Sequence, residues 1–158
     1  MKKKKIKVNK EEVAERVKKI LPILKKAYPD ARIALNFRDP LELLIATILS
    51  AQCTDARVNI VTKELFKKYK SPKDWAKTDI SQIESDIKST GFFRNKAKNI
   101  KAACSKIDEQ YKGKVPDTME QLLTLPGVGR KTAEKIVLEL DGKLVATYKG
   151  EGRTSEEP

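Results

Sequence analysis

The sequence predicts an all-α protein. Three observations carry that expectation. Apolar residues recur at three- and four-residue spacing along almost the whole chain. The stretches so marked open at capping side chains and prolines and stop at glycines. Finally, two glycines flank one apolar residue between two such stretches, in Leu125-Pro126-Gly127-Val128-Gly129-Arg130.

Taken in order, residues 1–9 read as a basic, solvated tail. Val13, Val17, Ile20, Leu21 and Leu24 share one face of a first helix over 10–29, closed by Pro29. Asp39-Pro40-Leu41-Glu42 is a helix start: an acid at the cap, proline in the first turn and a glutamate three residues after the cap. The run Leu43 to Leu49 behind it is apolar on nearly every side, so this helix belongs at the centre of a bundle. Asp55 caps the next helix, with Val58, Val61 and Leu65 inward. Ser71-Pro72 starts a short segment carrying Trp75. Ile80, Ile83 and Ile87 mark a helix that Gly91 ends; Ile100, Cys104, Ile107 and Tyr111 mark one that Gly113 ends. Asp117 with Glu120 caps a short helix through Leu123, and a helix from about Lys131 to Leu140 follows the glycine turn. Past Asp141-Gly142 the helical pattern stops, and 143–158 reads as a short strand at Leu144 to Ala146 and a disordered polar tail.

The 158 residues suffice for one domain with a core, or one domain and part of a second. Thirty-four Lys and Arg against 22 Asp and Glu leave a formal charge of +12, which asks for a polyanionic partner, nucleic acid or an anionic membrane surface. No apolar run is long enough to span a bilayer. The basic start is not followed by the apolar stretch of a signal peptide, so a cytoplasmic, nucleoid-associated protein is expected. The chain has no histidine, which removes histidine acid–base chemistry and most zinc sites. Its two cysteines, Cys53 and Cys104, sit inside helical patterns and read as buried structural thiols.

The segment Leu125 to Ala133 has the form of a helix–hairpin–helix. Glycines at 127 and 129 permit the turn and a close backbone approach to a ligand. Amides at the start of the second helix, aided by its dipole, bind anions, and on nucleic acid they form a phosphate clamp that carries no sequence information. A plain interhelical turn is the alternative; Arg130-Lys131 at the tip and the net charge favour the clamp.

With its neighbours, this hairpin resembles that of the endonuclease III family of DNA glycosylases. Three other segments agree in the same order: Phe37 to Asp55, including Leu49-Ser50-Ala51-Gln52-Cys53-Thr54-Asp55; Gly91-Phe92-Phe93-Arg94-Asn95-Lys96-Ala97; and Gly113-Lys114-Val115-Pro116. The likeness runs from about Lys10 to Leu140. It implies a six-helix domain over 30–142 with the helix–hairpin–helix at 118–140. The helix at 10–29 would then be left over from an incomplete second domain, whose other helices return from the C-terminal side. It implies that Lys131 attacks the sugar C1′ of a damaged nucleotide, displaces the base, forms a Schiff base and nicks the strand by β-elimination. That attack needs a neutral amine, which a helix start and the neighbouring Arg130 favour. Gln52 would fill the gap left by the extruded nucleotide, and Phe92 would wedge the opposite strand. Arg94 and Lys96 would contact phosphate, as would the hairpin through Gly127, Gly129 and Arg130.

The chain also departs from the family. The family carries a Val-Asp-Thr-His segment after the hairpin helix, whose aspartate assists the chemistry. Counting forward from Lys131 reaches Lys149, and a short deletion instead aligns Val145-Ala146-Thr147-Tyr148; neither supplies a carboxylate. The four cysteines that hold the family's [4Fe–4S] cluster have no counterpart, so no cofactor is expected in this chain. The expected function is an impaired glycosylase/AP lyase acting on oxidised pyrimidines and abasic sites in double-stranded DNA. The alternatives are a non-catalytic DNA-binding remnant, or the N-terminal part of a split enzyme. With its cover missing, the apolar face of the first helix is expected to self-associate or to meet a C-terminal partner chain.

Overall fold

The computed structural model describes residues 9–29 and 33–140, and every regular element among them is helical. The expected strand and polar tail lie outside the described residues, as do positions 1–8 of the basic tail. The chain divides into two compact units, Met1–Ile33 and Ala34–Pro158.

The first unit holds helix α1, Lys10–Ala27. Asn9 caps it, its side chain accepting from the Glu11 amide, and Glu11 and Glu12 at its start with Lys25 and Lys26 at its end suit the helix dipole. The Tyr28 amide closes the last turn on Leu24 O at 2.8 Å, just before Pro29. Pro22 stands inside the helix and removes one rung of its ladder. No α1 residue is buried; Val17, Ile20, Leu21 and Leu24 are 44–48% exposed.

The second unit is built around α2, Pro40–Leu49, whose residues Leu41 to Leu49 are all buried. Its neighbours are α3 (Asp55–Lys68), α6 (Phe93–Gln110) and α8 (Arg130–Glu139). Asp39 caps α2 as expected, accepting from the Glu42 amide at 2.9 Å. The reciprocal half of the box moves by one residue: Glu42, 5% exposed, accepts from the Arg38 amide and guanidinium. The buried carboxylate thereby gains a charged partner that the cap amide would not supply.

Between α3 and α6 lie α4 (Pro72–Lys77), α5 (Ile80–Ile87) and a 3₁₀ turn at Lys88–Thr90; α7 (Met119–Leu122) leads into the hairpin before α8. The unit therefore has seven α-helices among its described residues, one more than the expected six-helix bundle. The extra one is α4, where Ser71 and Asp74 complete a capping box that folds the short Trp75 segment into a helix of its own. Two caps shift by one residue. Thr54, not Asp55, caps α3, and Thr118, not Asp117, caps α7; in each case it is the threonine that has extended backbone and its side chain aimed at the first free amides.

Helix α6 spends three of the chain's cations internally. Lys96 Nζ donates to Leu49 O at the end of α2, Lys101 Nζ to Ala76 O and Thr78 O at the end of α4, and Lys106 Nζ to Thr124 O just past α7. Helix C-termini carry unsatisfied carbonyls and partial negative charge, so cations spaced five residues apart on α6 secure three neighbours to it.

Under α4, the rings of Tyr69 and Trp75 lie 4.2 Å apart. The Tyr69 hydroxyl and Lys68 Nζ both donate to Asp86 Oδ2 at 2.6 Å, and Gln82 donates to Oδ1. Burial pulls the Asp86 carboxyl up, but the donors from Lys68, Tyr69 and Gln82 outweigh it and hold it below the ordinary carboxylate range. A carboxyl depressed in the folded state contributes stability above its unfolded pKa, and that contribution is lost as pH falls through the folded value. Urea denaturation midpoints should therefore drop as pH falls below the usual carboxylate range, and Asp86→Asn should flatten that drop. Equal slopes in the two proteins would exclude Asp86 as the source.

Candidate nucleic-acid interface

The hairpin between α7 and α8 is held from inside by Leu125 and Val128, 2% and 6% exposed, with the Val128 amide closing the turn on Leu125 O at 3.1 Å. Its two glycines do different work. Gly127 has φ +78°, and a Cβ there would stand 2.7 Å from Asn99 Cβ of α6. Both the backbone conformation and the close packing require glycine. Gly129 has φ −84°, and a Cβ there would meet nothing within 4 Å. It caps α8 without a side-chain bond, and the first helical bond runs from the Ala133 amide to Gly129 O at 2.9 Å. The amides of Arg130, Lys131 and Thr132 thus open the helix at an end that no capping side chain covers. Arg130 and Lys131 are exposed on this first turn, and Arg130 Nε donates to Glu134 at 2.9 Å.

Two more expected contact residues share an unusual conformation. Gln52, past the end of α2, has φ +55°, and Phe92, at the start of α6, has φ +46°. Both are exposed, Phe92 by 70%. Left-handed backbone costs a non-glycine residue on the order of 1–2 kcal/mol. Arg94 is exposed one residue into α6, its guanidinium 5.2 Å from the Phe93 ring centroid.

Lys96 corrects the sequence reading. It is 5% exposed, and its ammonium donates to Leu49 O and Thr90 O, each at 2.8 Å. A cation so engaged does not reach a phosphate. Burial holds it below the ordinary lysine range, against a smaller upward effect of nearby Cys53. A signal was present: Lys96, Ile100, Ala103, Cys104 and Ile107 fall at helical spacing on one face, and all are buried. The αL backbone of Gln52 and Phe92 left no such trace.

Cys104 is buried as expected, its thiol pushed up to about 12 by burial, while Cys53 is half-buried. Among the described residues no group of three or more His, Cys, Asp or Glu side chains is placed to hold a metal ion. Two separate cysteines, one strongly disfavoured as thiolate, do not fit a [4Fe–4S] cluster, which needs convergent thiolates. No described helix is long and apolar enough to cross a membrane. A cavity of about 560 Å³, bounded by Arg38, Glu42, Phe66, Tyr69 and Trp75, lies at the N-terminal end of α2. Gln52 is at the other end of that helix, roughly 15 Å away.

Residues 45–151 match the HhH-GPD superfamily base excision DNA repair protein model. Endonuclease III of Synechocystis sp. is 55% identical over 130 residues, covering 82% of this chain and 59% of that protein. Endonuclease III of Bacillus subtilis is 51% identical over 110 residues, 70% of this chain and 50% of that protein. The chain thus spans between half and three-fifths of the length of these relatives. Among solved structures, a non-covalent endonuclease III–DNA complex superposes with a TM-score of 0.73 at 48% identity, covering 78% of this chain and 57% of that one. A thermostable thymine-DNA glycosylase gives 0.74 at 29% identity, covering 83% and 62%. The chain belongs to the HhH-GPD superfamily of base excision DNA repair proteins and, within it, to the endonuclease III family.

Proposed function

We propose that this chain supplies the DNA-gripping and nucleophilic part of a base-excision DNA glycosylase/AP lyase of the endonuclease III type. The observation that carries the proposal is the opening of α8: uncapped amides behind a glycine whose missing side chain faces open space, with Lys131 exposed on the same turn. The amides bind backbone phosphate, assisted by Arg130 and Arg94. Gln52 and Phe92 enter the duplex from two strained turns and offset part of the cost of extruding a nucleotide. At an abasic site the Lys131 amine adds to the C1′ aldehyde and water leaves, giving an imine. Loss of a C2′ proton then expels the 3′ phosphate and nicks the strand. Supporting this reading, one solved structure superposing on the chain with a TM-score of 0.73 is a trapped endonuclease III–DNA covalent intermediate, 48% identical over 78% of this chain.

The expected partner is double-stranded DNA carrying a damaged base or an abasic site, in the cytoplasm at the nucleoid. The substrates are abasic sites and, far more slowly, oxidised pyrimidines. A non-catalytic DNA-binding role is the second reading, favoured by the alanine in Val145-Ala146-Thr147-Tyr148, a segment outside the described residues.

Strand nicking of abasic duplex, followed with and without borohydride, separates the two readings: a trapped covalent adduct supports the lyase, and binding without any adduct supports the silent remnant. Binding itself should be strongly salt-dependent. If about four phosphates are neutralised, affinity for duplex falls on the order of 10²-fold when salt rises fourfold. Affinity insensitive to salt would remove the phosphate clamp from the account.

A further inference from the structure

Lys96 lies under both turns whose side chains enter DNA in the proposed function. Its ammonium donates at 2.8 Å to Leu49 O, the last residue of α2, and at 2.8 Å to Thr90 O, the last residue of the 3₁₀ turn. Gln52 follows Leu49 by three residues, and Phe92 follows Thr90 by two. Both have left-handed backbone, at φ +55° and +46°, and both are exposed. The Leu49 carbonyl stands 47 residues from Lys96 in sequence and the Thr90 carbonyl 6, so one ammonium bonds the ends of two segments that are far apart along the chain. Burying an ammonium is costly unless its protons are bonded. The Lys96 ammonium meets that cost by bonding the carbonyls that end both segments, and the two strained turns follow directly from those carbonyls.

We infer that Lys96 is a positioning residue, a buried ammonium that ties the Gln52 turn to the Phe92 turn and fixes the gap between the two side chains that enter DNA. The inference rests on the DNA reading above and deepens it. Lys96 touches no substrate. It acts through backbone carbonyls of α2 and the 3₁₀ turn and makes no hydrogen bond to the hairpin or to Lys131. The consequence is selective. Gripping intact duplex depends on phosphate contacts, whereas recognising a site where a nucleotide leaves the stack depends on two insertions made together.

The test uses the full chain as Lys96→Met, which fills the space and removes all donors, and Lys96→Gln, which keeps an amide able to bond only one turn at a time. Equilibrium binding is measured on intact duplex and on the same duplex with one abasic site, with 2-aminopurine opposite it as a reporter of unstacking. The preference for the abasic duplex should fall about tenfold in Lys96→Met and less in Lys96→Gln. Affinity for intact duplex should stay within about twofold. Hydrogen exchange, which needs no DNA, should quicken together at Gln52–Cys53 and Phe92–Phe93 while the hairpin amides keep their rates. Where Lys96→Met does not fold, the comparison is carried by Lys96→Gln. An unchanged preference overturns the inference. So does an equal loss on both duplexes with general loosening, which would make Lys96 an ordinary core residue. Failure of the unaltered chain to bind any duplex would instead sink the DNA reading, and the exchange result would still decide whether Lys96 couples the turns.

Discussion

Replacing Lys131 with alanine should reduce borohydride-dependent trapping on abasic duplex by on the order of 10³-fold or more, because an imine cannot form without the amine held at the aldehyde. Position supplies much of that factor. Lys131 is exposed on the first turn of α8, beside the amides that would seat a phosphate. Lys131→Arg separates chemistry from grip: it keeps a cation for phosphate but forms no imine, so DNA affinity should persist while trapping disappears. Trapping that survives both substitutions would place the nucleophile at another lysine. Release of an oxidised pyrimidine from intact duplex should be negligible even in the unaltered chain. Positive charge builds on the sugar as an intact base leaves, and a missing electrostatic partner commonly costs about 10²–10³ in rate. Neither Ala146 nor Lys149, the two positions that align with the family's aspartate, is a carboxylate. Efficient base release would show that another carboxylate serves, and Asp141 is the first to replace.

Gly127→Val should destabilise the protein by about 2–4 kcal/mol, the combined cost of a left-handed backbone and an overpacked contact. The side chain would have to adopt φ near +78° and would overlap Asn99, whose Cβ lies 2.7 Å from the position a Cβ would take. Thermal unfolding should move down by roughly 10 °C. Gly129→Ala should behave differently. Its backbone is ordinary and no atom stands within 4 Å of the added methyl, so stability should change by at most about 0.5 kcal/mol. The methyl would instead occupy the approach to the α8 amides, and duplex affinity should fall about tenfold, as for one lost charge-assisted hydrogen bond. Circular dichroism melts and binding titrations of the two variants should thus give opposite patterns. Similar melting losses in both would mean that Gly129 is a packing glycine and that the open helix start carries no ligand.

Much of the fold was legible in the sequence because helix formation is governed by short-range spacing. The apolar run from Leu43 to Leu49 required a buried central helix, and α2 is buried from Leu41 to Leu49. Ser71-Pro72 and Asp39-Pro40 marked helix starts, and both side chains cap as their chemistry demands. The misplaced caps, Thr54 for Asp55 and Thr118 for Asp117, are choices between adjacent residues that can each cap. The chain settles them by which residue keeps extended backbone.

The sequence by itself determined the helical class, the central helix, the two-glycine hairpin and the surplus of positive charge. Only the tertiary structure decided what the individual residues of that charge and that hairpin do. Lys96 and Arg94 are two residues apart in one basic stretch, yet Lys96 is sealed against two carbonyls and Arg94 faces solvent. The turn of α6 places one inward and the other outward, and the carbonyl that captures Lys96 comes from a helix 47 residues earlier. Gly127 and Gly129 look alike in the sequence, but Asn99, on another helix, makes the first indispensable to packing and leaves the second open. Spacing along the chain records which face a residue occupies; it does not record what a distant segment brings to that face.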